Sequence, residues 1–166
     1  MQATHLNMRS LQAWFDEYAK SHQNPTNKAI HWICIPAIYY SIIALLAAIP
    51  APYFREHVPE MLVPFAHWGS VLVFGGFVFY LLHSPSMAIG IALFSILCLL
   101  LLNWFAQLAM PLWQSSLIIF ATAWIGQFYG HKVEGKKPSF FKDVQFLLIG
   151  PAWLMGFIYK KLGLKY

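Results

Sequence analysis

The chain has 166 residues, of which 59% are apolar and only 10% are charged, and its mean hydropathy is +0.57. A soluble domain carries roughly a quarter charged residues, so this composition excludes an ordinary cytosolic enzyme, a disordered chain and a coiled coil, and points to a polytopic membrane protein. The net charge of +5 arises from 11 Lys and Arg against 6 Asp and Glu; these flank apolar runs without forming a patch, which argues for cytoplasmic loops and contact with membrane lipid and against nucleic acid.

The opening MQATHLNMRS has no apolar run, so no cleaved signal peptide is expected. Leu11, Trp14, Phe15 and Tyr18 then fall at i, i+3, i+4 and i+7, the spacing of one helical face. This predicts a helix over about residues 10–23, capped by Ser10, lying at the cytoplasmic interface or under the bundle. Pro25 ends it, because the residue before a proline avoids the helical region, and Thr26 is the expected cap of the next helix.

Four apolar stretches approach the roughly 20 residues that a bilayer core needs: 29–49, 63–82, 87–108 and 112–129. A fifth stretch, within 143–160, is short and broken by Gly150-Pro151; it is expected to be interfacial or re-entrant. Arg9, Lys20 and Lys28 precede the first stretch, and Lys132, Lys136, Lys137, Lys142, Lys160, Lys161 and Lys165 follow the fourth. The connections hold only Arg55. The expectation is therefore an all-α, four-span, single membrane domain over 1–166 with both termini cytoplasmic, in a bacterial inner membrane or endoplasmic-reticulum setting. Cys34 and Cys98 lie inside apolar runs and read as buried free thiols.

In this topology His22, His31, His83 and His131, from four parts of the chain, share the cytoplasmic depth; His57 and His67 fall on the other side. Imidazole is the commonest neutral metal ligand, and four of them suit iron, zinc or copper. The competing reading is that such histidines cap helix carbonyls or meet headgroups, and His83-Ser84-Pro85-Ser86 is also an ordinary tight turn. Asn24 and Asn27 lie between His22 and His31. Gln127 and Glu134 stand four residues before and three after His131, on its helical face. Glu134 reads either as a ligand, as a partner orienting an imidazole, or as a solvated partner of Lys132 or Lys137. Gly126 and Gly130 suit close helix packing.

Two stretches carry a resemblance. One is Tyr18-x-x-x-His22-x-Asn24-x-x-Asn27-x-x-x-His31 with Pro36 downstream; the other is Gln127-Phe128-Tyr129-Gly130-His131-x-x-Glu134-Gly135-x-x-Pro138. Together they resemble the small membrane family of the fungal 2-hydroxy fatty acid dioxygenase, in order, placement and chain length. The resemblance implies iron(II)-dependent α-oxidation: a 2-hydroxy fatty acid and dioxygen give a fatty acid one carbon shorter. It implies Fe(2+) ligation by His22, His31 and His131, and the topology adds His83. Tyr18, Asn24, Asn27, Gln127 and Glu134 become candidates for orienting ligands or holding the substrate head. Lys20, Lys28 and Lys132 are candidates for attracting its carboxylate. The alternatives are a non-enzymatic scaffold or lipid-binding protein, and a bis-histidine haem protein using His31 and His83. No His-x-x-x-His box occurs, which disfavours a di-iron desaturase, and no inverted repeat suggests a transporter.

Overall fold

The computed structural model describes residues 10–135 and 146–166, and these form helices joined by turns and short irregular links, with no strand among them. The helices are α1 (Leu11–Ala19), α2 (Pro25–Ala47), α3 (Pro52–Glu56), α4 (Trp68–His83), α5 (Pro85–Phe105), α6 (Leu112–Glu134) and α7 (Ile149–Lys161), with a 3-10 helix over Glu60–Phe65. Ser10 caps α1 as expected, its Oγ accepting the Ala13 N–H at 3.2 Å. α1 ends at Ala19, earlier than residue 23. The cap of α2 is Asn24 and not Thr26: the Asn24 side chain accepts the Thr26 N–H at 2.8 Å, and Pro25 takes the first helical position, where its missing N–H costs nothing.

α2 is the central element, packed along α6 and also against α4, α5 and α7. The Tyr39 hydroxyl meets Ser95 Oγ at 2.8 Å and ties α2 to α5 within the core. α7 is packed into the assembly. It buries Ile149, Ala152, Trp153 and Leu154 in a cluster shared with Leu11, Phe15 and Tyr18 of α1 and with Met87, Ala88 and Ile91 of α5. The Tyr159 hydroxyl donates to the Ser86 carbonyl at 2.5 Å and Tyr80 donates to the Leu148 carbonyl, fastening both ends of α7 to the α4–α5 region. The expected helix over 143–160 begins at Ile149; residues 143–145 lie outside the described residues.

Two helices, α2 and α5, are long and apolar enough to cross a membrane. α4 is a shorter apolar helix of 16 residues, about 24 Å at 1.5 Å per residue against a hydrocarbon core of roughly 30 Å. It falls short of the expected 63–82 because Pro64 lies in the separate 3-10 helix and the α-helix starts only at Trp68. α6 is long enough, but Gln114, Ser115, Ser116 and Gln127 dilute its apolar character. α4, α5 and α6 all carry exposed apolar side chains, among them Phe74, Val78, Leu93, Leu97, Ile118 and Ile125.

Candidate metal centre

His22, His31 and His131 converge at the end of the bundle where α1 turns into α2 and α6 ends. One ring nitrogen from each lies within 4.8 Å of the others. The ring centroids are 4.3 Å apart for His22 and His31, 5.2 Å for His22 and His131, and 5.1 Å for His31 and His131. All three side chains are buried.

The backbone sets the tautomers of two of them. His22 Nδ1–H donates to the Tyr18 carbonyl at 2.7 Å, and His31 Nδ1–H donates to the Asn27 carbonyl at 2.9 Å. Both acceptors are the i−4 carbonyls, so each ring is held by its own turn of chain. Each imidazole then keeps its lone pair on Nε2, and these two Nε2 atoms are buried with no hydrogen-bond partner. A buried acceptor with nothing to accept is costly, and two of them in one cluster with a third imidazole are the donor set of a transition-metal ion. Burial holds the His22 imidazole neutral, with its pKa lowered from 6.5 to about 4, so the lone pair is available across the neutral range. Two nitrogens on one metal at about 2.1 Å stand at most about 4.2 Å apart, so binding would draw together any pair separated by more than that.

The surroundings fix this arrangement. The Tyr18 ring stacks on His22 at 4.0 Å, with 14° between planes, and Trp153 of α7 stands 5.5 Å from the same imidazole. Asn27, fully buried, sends Nδ2 to the Ser21 carbonyl at 3.2 Å and to Glu134 Oε2 at 3.0 Å. Glu134 also accepts the Gln23 N–H on Oε1 at 2.7 Å and the Asn24 N–H on Oε2 at 2.8 Å. Burial raises its pKa, but these three hydrogen bonds outweigh that effect and hold the carboxyl below its ordinary value. Its partners are amides of the α1–α2 turn, so both oxygens are engaged in closing that turn onto α6. The helix stops one residue later at Gly135, with φ +71°, a left-handed conformation natural to glycine. Gly130 allows the crossing of α6 over α2: a Cβ there would strike Asn27 Oδ1 and lie 3.4 Å from His31 Cε1.

The sequence-predicted residues thus divide. His22, His31 and His131 are brought together, and Tyr18, Asn27 and Glu134 touch the ligands or the turn that carries them. Asn24 acts as helix cap and as a donor to Glu134. Gln127 is buried and lines a small cavity of about 30 Å³ with Tyr18, Ile38 and Trp124. His83 is not a member of the converging group; its Nδ1–H donates to the Phe79 carbonyl at 2.8 Å and its ring packs on Phe79. His31 groups with His22 and His131, edge-on to both, and not with His83. Lys20 and Lys132 are exposed and Lys28 is half-buried. Trp153 and Ser21, whose Oγ is 3.2 Å from His22 Nδ1, are not legible as site residues: Trp153 sits in a stretch with no distinguishing spacing, and Ser21 at an unspecified position of the first motif.

A model of the family described as 2-hydroxy-palmitic acid dioxygenase Mpo1-like matches residues 8–162. The chain belongs to this family. The match spans all the described helices and both motif stretches, and the family's name indicates a dioxygenase, an oxidoreductase, acting on a 2-hydroxy fatty acid. No curated protein and no solved structure matches the chain.

Proposed function

We propose that the protein is an iron(II)-dependent dioxygenase that performs α-oxidation of 2-hydroxy fatty acids, releasing an acid one carbon shorter. The observation that carries this reading is the convergence of three buried imidazoles, two with orphaned Nε2 lone pairs, in a chain of this family. His22, His31 and His131 would hold the iron. When bound, iron(II) supplies Lewis acidity toward the hydroxy-acid head and the reducing power that activates dioxygen. Three protein ligands leave more of the metal's coordination sphere to substrate than four would, and His83 is accordingly omitted from the set.

The chain's own contribution is orientation and exclusion of water. The Tyr18 and Asn27 carbonyls keep the Nδ1 protons of His22 and His31 in place, so the Nε2 lone pairs point into the cluster. Glu134 holds the turn that carries His22 against the helix that carries His131. Tyr18 and Trp153 cover His22 with apolar rings and keep bulk water from it. Tyr18, which stacks on His22, also lines a small cavity with Ile35, Ile38 and Trp124, and the first carbons of the substrate tail would lie on that side. Lys28 at the start of α2, half-buried and three residues before His31, is a candidate to attract a carboxylate.

We further infer a multi-pass membrane protein with four crossings and this site at the cytoplasmic end. The apolar outer faces of α4, α5 and α6 support it, as does the concentration of lysines at the chain ends. The test is elemental analysis of the detergent-purified protein, beside oxygen uptake with 2-hydroxypalmitate. Near-stoichiometric iron with substrate-dependent oxygen uptake is expected. Absence of any transition metal after anaerobic iron reconstitution would overturn the reading in favour of a lipid-binding scaffold.

A further inference from the structure

The opposite end of the bundle carries a second constellation, at Ala47, about 24 Å along α2 from His31 at 1.5 Å per residue. Two cavities meet there. One, of about 420 Å³, is lined by Ala48, Pro50, Arg55 and His67 among others. The other, of about 350 Å³, has almost wholly apolar walls that include Phe54, Phe65, Val71 and Phe74. Ala66 and His67 line both.

His67 is the N-cap of α4 and is only 5% exposed. Its Nδ1 accepts the Ser70 N–H at 3.2 Å, so in the neutral ring the proton sits on Nε2. That Nε2–H is buried and has no acceptor, a state that costs free energy unless something fills it. The ring is held in place because α4 crosses close over α2 at Gly69, where a Cβ would strike the Ile43 carbonyl oxygen. Beside it stand the exposed guanidinium of Arg55 and the positive end of the α4 dipole. Glu56 and Glu60 line neither cavity. The charged side chain lining this space is the cation Arg55, and the adjoining groove is walled almost wholly by carbon; the main chain that ends α2, at Ala47 and Ala48, closes the far wall of the first cavity.

We propose that this end of the protein binds an anionic amphiphile. Its carboxylate or phosphate head accepts from His67 Nε2 and Arg55, and its tail lies along Phe54, Phe65, Val71 and Phe74. A free anion satisfies the donors but leaves the groove empty; a neutral lipid fills the groove but brings no charge to the Arg55 guanidinium. The proposal is independent of the metal centre.

The test is native mass spectrometry of the full chain in maltoside, with dodecyl phosphate, dodecylphosphocholine and inorganic phosphate as probes at matched concentrations. One dodecyl phosphate per chain is expected, with little retention of the zwitterionic probe or of inorganic phosphate. Arg55→Gln and His67→Ser should each weaken dodecyl phosphate binding at least about tenfold, as expected for charge-assisted hydrogen bonds. Arg55 is exposed, and a serine at 67 can still accept the Ser70 N–H, so both variants should keep the wild-type helical circular dichroism. Equal retention of dodecylphosphocholine, unchanged binding in both variants, or inorganic phosphate binding as tightly as dodecyl phosphate would each overturn the proposal.

Discussion

Glu134 closes onto Asn24 across more than a hundred residues of chain: its Oε2 accepts the Asn24 N–H at 2.8 Å while Oε1 accepts the neighbouring Gln23 N–H at 2.7 Å. This bidentate grip joins a carboxylate three residues after His131 to amides one and two residues after His22. One carboxylate therefore sets the separation between two of the three converging imidazoles. Replacing it by Glu134→Ala leaves the Gln23 and Asn24 amides without their acceptor and Asn27 Nδ2 with only the Ser21 carbonyl. Loss of such a supporting contact typically costs about 10–100-fold in metal affinity, and that is the expected weakening of iron binding. Competition titration against a chelator measures it. An unchanged affinity would show that the turn is held without the carboxylate.

The convergence of three histidines, and not four, makes a sharp prediction for substitutions. His22→Ala, His31→Ala and His131→Ala should each strip the metal from purified protein. His83→Ala should retain the parent content, because His83 packs on Phe79 outside the group. Elemental analysis of the four variants separates the outcomes, and metal loss in His83→Ala would restore a fourth ligand.

The histidines were legible in the sequence as a shared depth, since their distances from helix ends are countable. Direction was not. Depth counts His83 with the others, but the azimuth of α4 leaves it outside the converging group. The role of Glu134 was similarly half visible: the i+3 spacing puts it on the face of His131, yet nothing local says that it turns to the Gln23 and Asn24 amides. The first helix was readable from Leu11, Trp14, Phe15 and Tyr18, because its periodicity is sharp. Gly150-Pro151 makes the last apolar stretch look interfacial or re-entrant; Pro151 falls in the first turn of α7, where a proline is tolerated, and Trp153 packs 5.5 Å from His22, a contact that the sequence does not announce. Such tertiary contacts have no sequence period.

Gly130 tests the closeness of α6 and α2. An added methyl meets Asn27 Oδ1 and the His31 ring, and Asn27 is pinned by Ser21 and Glu134 and has little room to yield. Gly130→Ala should destabilise the protein by about 1–3 kcal/mol, as overpacking does, and weaken metal binding in step. Gly75 in α4 is the matched control, because a Cβ there meets nothing within 4 Å. Gly75→Ala should be neutral or stabilising by up to about 1 kcal/mol through helix propensity. Thermal midpoints in detergent report both. A neutral Gly130→Ala would mean that the helices can part without loss.

Acid should loosen the metal-free protein through His22. Burial lowers its pKa from 6.5 to about 4, the hydrogen bond to the Tyr18 carbonyl offsetting only part of that. Between these two values the unfolded chain binds a proton that the folded chain refuses, so stability rises with pH across this window and is level above it. The pKa difference corresponds to at most roughly 3 kcal/mol lost on descending from pH 6.5 to 4. The thermal midpoint of the metal-free protein should therefore fall over this range, and His22→Gln should flatten part of the slope. Bound metal occupies the lone pair that the proton seeks, so the loaded protein should hold its midpoint to lower pH than the metal-free form. Identical pH profiles for the loaded and metal-free forms would place the metal somewhere other than on His22.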